Sequence, residues 1–309
     1  MKKIIKLTIY IVILVLAFFF AKDNSEAITT KALYFYKKYF IKEIKQDLKS
    51  NDYKKQENYE NYSINNNTIL KNKNDLINAV YTFLDAGYET YTVICDADYL
   101  DCVNDTRELV ANKNELTDIS NFVSPYNSFE KINTKIYSIG KITFTRVPRY
   151  TDEEIQKINQ KIDEIYNNNY DSSKNIVENI KIFHDYIINN TKYDIKNDKL
   201  DSNSKSSTAY GVLFENKGIC SGYSDTMALL LDKMKVKNHR ISSNTHMWNL
   251  VYIEGAWKHL DLTWDDPVVE NDNEKNILSD KYFLVDTTTL KSYNDNEHIF
   301  DENIYVEAK

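Results

Sequence analysis

The sequence predicts an α+β protein: a cysteine-bearing helix packed on an antiparallel sheet, preceded by a smaller α/β unit and an N-terminal apolar helix. Three observations carry that expectation. Lys217-Gly218-Ile219-Cys220-Ser221-Gly222-Tyr223 leads into Tyr223, Met227, Leu230, Leu231 and Met234, apolar positions at helical spacing. Two apolar runs flank Glu254-Gly255, which reads as a two-residue hairpin turn with Gly supplying positive φ. Leu7 to Ala21 is almost wholly apolar and follows Lys2, Lys3 and Lys6.

With 309 residues, the chain has room for two domains or one plus an extension. A hydrophobic fraction of 42% suffices for a core, and 24 tyrosines make the chain unusually aromatic. A net charge of −7 without a basic stripe speaks against a nucleic-acid partner. Residues 1–27 read as a signal peptide or membrane anchor, because lysines precede the apolar run and Ser25-Glu26-Ala27 offers small residues for cleavage. The expected location is therefore extracytoplasmic, membrane-anchored or secreted, with the membrane contacted through this segment. Residues 28–67 read as a helical stalk (Lys31 to Lys49) and an Asn-, Lys- and Tyr-rich linker.

Residues 68–150 form the α/β unit. Asn74-Asp75 is expected to cap a helix through Asp85 that presents Leu76, Val80 and Leu84 on one face. Tyr88 to Ile94 reads as a strand and Arg107 to Leu116 as a helix. Ile132–Ile136 and Lys141–Val147 read as a hairpin. Cys95 and Cys102 suit either a short-loop disulfide or two separate thiols. No catalytic signature appears in this unit.

Residues 151–309 form the last unit. Thr151-Asp152-Glu153-Glu154 is a capping box ahead of Ile155, Ile158, Ile162 and Ile165 on one helical face. A second helix, from about Ser173 to Asn189, buries Ile176, Ile180, Phe183 and Ile187, and His184 within it reads as structural. Asp201–Ser207 and Val268–Ser279 are polar loops, Tyr282–Val285 is expected to be a strand, and His298 has no assigned role.

The chemistry lies in Cys220, His246 and Asp261. A thiol attacks a carbonyl well only as thiolate, and a helix N-terminus or a proton-accepting imidazole lowers its pKa. Cys220 is expected in the first helical turn, where backbone N–H groups can also hold an oxyanion. The Glu254-Gly255 turn sets a register pairing Ile253 with Ala256, Trp248 with Asp261 and His246 with Thr263. Cross-strand pairs share a face, so His246 and Asp261 point the same way. The opposite face then carries Met247, Val251, Ile253, Leu260, Leu262 and Trp264 as core. One extra residue at the turn would reverse this parity.

The run Ala209-Tyr210-Gly211-Val212-Leu213 through Gly218–Tyr223, then His246-Met247-Trp248-Asn249, then Asp261-Leu262-Thr263-Trp264-Asp265-Asp266-Pro267, resembles the bacterial transglutaminase-like domain. The resemblance covers roughly Lys174 to Phe283, with Ser224 and Met247 as small departures. It implies a papain-like transglutaminase core and a Cys–His–Asp catalytic triad on Cys220, His246 and Asp261. It also implies acyl transfer on protein or peptide amides through a thioester, with such substrates at the cell surface or wall, and no cofactor or metal. The alternatives are a cysteine peptidase or amidase of the same fold, or a catalytically silent surface binding module.

Overall fold

The computed structural model describes residues 68–308 apart from 138–139, 198–203 and 267–278, together with a few positions between 22 and 39. The apolar segment, the linker, residues 201–203 of the first polar loop and residues 268–278 of the second lie outside the described residues. No helix among the described residues is long and apolar enough to cross a membrane.

The N-terminal unit begins with β1 (Thr68–Leu70), α1 (Lys73–Asp85) and β2 (Thr90–Cys95). Asn72, rather than Asn74 or Asp75, caps α1: its side chain accepts from Asp75 N. Leu76, Val80 and Leu84 face the core as their spacing requires. The single helix expected over Arg107–Leu116 is two, α2 (Cys102–Ala111) and α3 (Lys113–Asn121). Asn112 separates them because its extended backbone ends one helix while its side chain accepts from Glu115 N to start the next. β3 (Phe129–Ile136) and β4 (Lys141–Pro148) form the expected hairpin, and the sheet runs β1-β2-β4-β3. Cys95 and Cys102 form a disulfide between the end of β2 and the start of α2.

Two helices follow. α4 (Asp152–Asn169) starts at the predicted capping box, with Glu154 N donating to Thr151 Oγ1 at 3.2 Å and Thr151 N to Glu154 Oε2 at 3.0 Å. α5 (Ile176–Asn190) has a second box, Asn175 with Glu178. The short parallel pair β5 (Lys192–Tyr193) and β6 (Lys217–Gly218) leads into α6 (Cys220–Lys233). An antiparallel sheet then follows, ordered β7 (Asn238–Ser242), β8 (Met247–Ile253), β9 (Ala256–Leu260). The fold class is α+β, with α6 packed on this sheet.

The β8–β9 register is Ile253↔Ala256 through Asn249↔Leu260, the pairing the turn predicted, without a bulge. Glu254 and Gly255 both take positive φ, 52° and 85°, as a tight hairpin turn with right-handed twist demands. One expected strand is absent: over Tyr282–Val285 only Val285 pairs, as an isolated bridge to His259. Leu284 takes φ 51°, which breaks the extended run. α7 (Thr287–Ser292) and the C-terminal segment complete the chain.

Both faces of the β8 hairpin are covered. Val251, Ile253, Leu260 and Leu262 pack with Met227, Leu230 and Leu231 of α6 and with the isoleucines of α4 and α5. Trp248 and Leu250 belong to a second cluster that includes Phe83, Phe122 and Phe144 of the N-terminal unit and Tyr305 near the C-terminus. The chain before residue 150 and the chain after 240 therefore share one core. A buried ion pair reinforces it: Arg240 binds Asp225 of α6 and also donates to Ser120 O at 2.6 Å and Val123 O at 3.0 Å.

Candidate active site

The start of α6 is fixed by what it packs against. A Cβ on Gly222 would lie 2.3 Å from Ser206 O, so only glycine admits this contact. Ile219 N donates to Ser206 O at 2.9 Å and Ser221 Oγ to Ser207 O at 3.1 Å, holding the first turn against residues 206–207. Ile219, at the N-cap, makes no side-chain cap. The positive end of the helix dipole is thus left for another acceptor, with Cys220 as the first helical residue.

His246 immediately precedes β8 and Asp261 immediately follows β9, so the hairpin carries one group on each leg at the same end. The hairpin is positioned on α6 by Asn249, whose amide donates to Ser224 O at 2.9 Å. His246 Nε2 lies 2.5 Å from Asp261 Oδ2. An ionised carboxylate only accepts, so Nε2 carries the proton and Nδ1 is the nitrogen left for the thiol. The structure brings Cys220, His246 and Asp261 together, and all three are buried.

Asp261 is fully engaged. Oδ1 accepts from Thr263 N at 2.9 Å, Thr263 Oγ1 at 2.6 Å and Trp264 N at 3.3 Å. These bonds bend the chain out of β9 at once. Trp264 therefore leaves the face on which alternation placed it and stands edge-on to His246, with ring centroids 6.4 Å apart. It packs with the cluster of the N-terminal unit rather than with Leu260 and Leu262.

His298 is the residue sequence reasoning left unassigned. Its Nε2 is 2.8 Å from the same Asp261 Oδ2, and its Nδ1 is 2.8 Å from Asp295 Oδ1. Trp248, Trp264 and Tyr282 surround the two imidazoles: Trp248 stacks on His246 at 5.7 Å and Tyr282 on His298 at 4.9 Å. Asp295, three residues before His298, was the one local signal. Nothing in the sequence ties a position 37 residues away to Asp261.

Burial sets the electrostatics. Desolvation alone would push His246 down, but the Asp261 charge and hydrogen bond, with Cys220 beyond, hold it well above 6.5. Burial would raise Asp261, yet His246 and then His298 hold it far below the usual carboxylate range. The aromatic enclosure strengthens both attractions by lowering the local dielectric. His259, behind Trp248, is pushed down to about 3 by burial, and its Nδ1 accepts from Trp248 Nε1 at 3.0 Å. It acts as a neutral strut for the tryptophan under His246.

His246, Asp261 and His298 are also the one group among the described residues whose donor atoms, within 4.8 Å of one another, could hold a metal. Each imidazole instead directs its Nε2 proton at the shared carboxylate oxygen, so a cation would have to displace both protons. His184, in α5, sits between Asp185 at 2.8 Å and Asp265 at 3.3 Å. It ties α5 to the turn that follows Asp261, a structural role.

A buried thiol at an uncapped helix start, beside an imidazole that a carboxylate keeps basic, is an arrangement that can form and break a thioester. The family model described as "Transglutaminase-like superfamily" matches residues 163–262, and this third of the chain is a transglutaminase-like domain. Among solved structures the chain is similar to one described as a TGase, at 16% identity and TM-score 0.35 over 50% of this chain and 48% of that one. It is also similar to one described as a "Putative Cysteine Protease" from Cytophaga hutchinsonii, at 14% identity and TM-score 0.29 over 43% of this chain and 61% of that one. The chain thus spans about half to three-fifths of the length of these neighbours. No curated protein matches the sequence.

Proposed function

We propose that this protein is an extracytoplasmic cysteine acyltransferase acting on protein or peptide amides. The observation that carries the reading is the placement of Cys220 at the uncapped start of α6 beside a His246 held basic by Asp261. In the first step Cys220 Sγ bonds to the amide carbonyl carbon, and its proton passes to His246. First-turn N–H groups of α6 receive the developing oxyanion. Collapse breaks the C–N bond, His246 protonates the departing amine, and a thioester remains. In the second step an incoming primary amine gives its proton to His246, bonds to the acyl carbon and expels the thiol. Water in place of the amine gives hydrolysis, the peptidase or amidase reading.

Location and partners follow from two features. Lysines ahead of an apolar run orient the remainder of the chain away from the cytoplasm. The Cys95–Cys102 disulfide suits an oxidising compartment. The substrates are then proteins or peptides of the cell surface or wall.

The test is to incubate the protein with a glutamine-containing acyl-donor protein and a labelled primary amine. Amine incorporation lost in Cys220→Ala supports the transferase, and released ammonia or new peptide termini without incorporation supports the hydrolase. No product, with Cys220 inert to thiol reagents in the folded protein, leaves the silent binding module.

A further inference from the structure

A cavity of about 710 Å³ lies between the N-terminal unit and the start of α6. One end is formed by Ser221, Thr245 and Met247, the chain neighbours of Cys220 and His246. The far wall comes from α3, from the first residues of β3 and from Arg149. A compartment lined by the residue next to Cys220 and walled by a second unit suits the arm of a substrate rather than its reacting bond.

The charge of the lining is particular. Asp225 and Arg240 neutralise each other. Lys113, Lys131 and Arg149 then outnumber Glu130, in a chain whose net charge is −7. Finally, β3 is an edge strand that pairs with β4 alone among the described strands, and Ser128 to Ile132 along it line the cavity. An extended peptide can continue such an edge through main-chain hydrogen bonds.

We propose that this cavity receives the acyl-donor peptide in extended form along the start of β3, with an acidic side chain of that peptide against Arg149 and Lys131. The N-terminal unit is then the specificity wall of the enzyme. This inference rests on the acyl-transfer reading for the use of the site, though not for its occupancy.

Matched peptides ending in a chloroacetamide, with Glu, Gln or Lys beside the electrophile, test it on the full-length protein. Labelling of Cys220 is followed by intact mass, each rate taken relative to iodoacetamide on the same variant. The Glu peptide is expected to label about tenfold faster than the Lys peptide at low salt, the gap narrowing as salt screens it. Arg149→Gln should close the gap, and Lys131→Gln, on the exposed edge, should narrow it without touching a buried atom. Equal rates for Glu and Lys peptides in a protein that takes iodoacetamide overturn the inference, as does a preference that survives both substitutions. If Cys220 proves inert to every electrophile, the acyl-transfer reading fails. Anisotropy of the same peptides without the electrophile then decides: an acidic preference lost in Arg149→Gln sustains the cavity, and no preference overturns it.

Discussion

Asp261 Oδ2 serves two histidines at once, His246 Nε2 at 2.5 Å and His298 Nε2 at 2.8 Å. His298 touches neither the thiol nor a substrate position, so it acts as a positioning residue through the carboxylate. His298→Ala is expected to lower turnover about ten- to a hundredfold, the cost of leaving a buried charge short of one donor. His298→Gln, whose amide can still donate, should restore part of it. Steady-state kinetics check this: the loss should fall on kcat with KM little changed, and equal activity in both variants and the parent would refute the role.

Asp261→Asn should cost more, about 10³- to 10⁴-fold in rate, because the amide no longer stabilises the imidazolium. Burial would remain while the carboxylate is gone, so His246 should fall from well above 6.5 to below it. In the parent, the raised His246 contributes stability that is complete below 6.5 and is lost as pH rises through its native value. Imidazole NMR titration of both proteins reads the shift, and melting at several pH values reads the linkage.

The Arg240–Asp225 pair is buried and also serves Tyr150, whose hydroxyl donates to Asp225 Oδ2 at 2.6 Å. Arg240→Met should destabilise the fold by about 3–5 kcal/mol, since it strands a buried carboxylate. Adding Asp225→Leu should recover part of the loss. Denaturant melts of the two variants measure it, and additive losses would count against a coupled pair.

Asp232 is pushed up to about 7 by burial, against the opposing pull of Asn238 and Arg240. A carboxylate raised above its unfolded 3.8 contributes stability below that value and loses it as pH climbs to about 7. Asp232→Asn should therefore raise the melting temperature at about pH 8, by an amount worth about 1–2 kcal/mol, and change little at about pH 4. A destabilised variant at the higher pH would show that the Asn238 bond outweighs burial.

Local rules made much of this protein readable from its sequence. The Thr151–Glu154 box, the apolar spacing after Cys220 and the Glu254-Gly255 turn each depend on neighbours within a few residues. A two-residue turn fixes parity, and parity alone put His246 and Asp261 on one side of a hairpin. Where a local group competed, pattern misled: Asn112 split a helix, Leu284 at positive φ ended a strand, and Asp261 bent Trp264 away from its expected face. Long-range placement was decided by the tertiary structure. β7 completes a sheet that the motifs did not contain, and Asp295 and His298 return from the C-terminal segment to Asp261. Residues 110–149 supply the wall of a cavity that reaches Ser221, the residue after Cys220. Such contacts join positions with no periodic relation in sequence, and the burial of whole faces, rather than any local preference, brings them together.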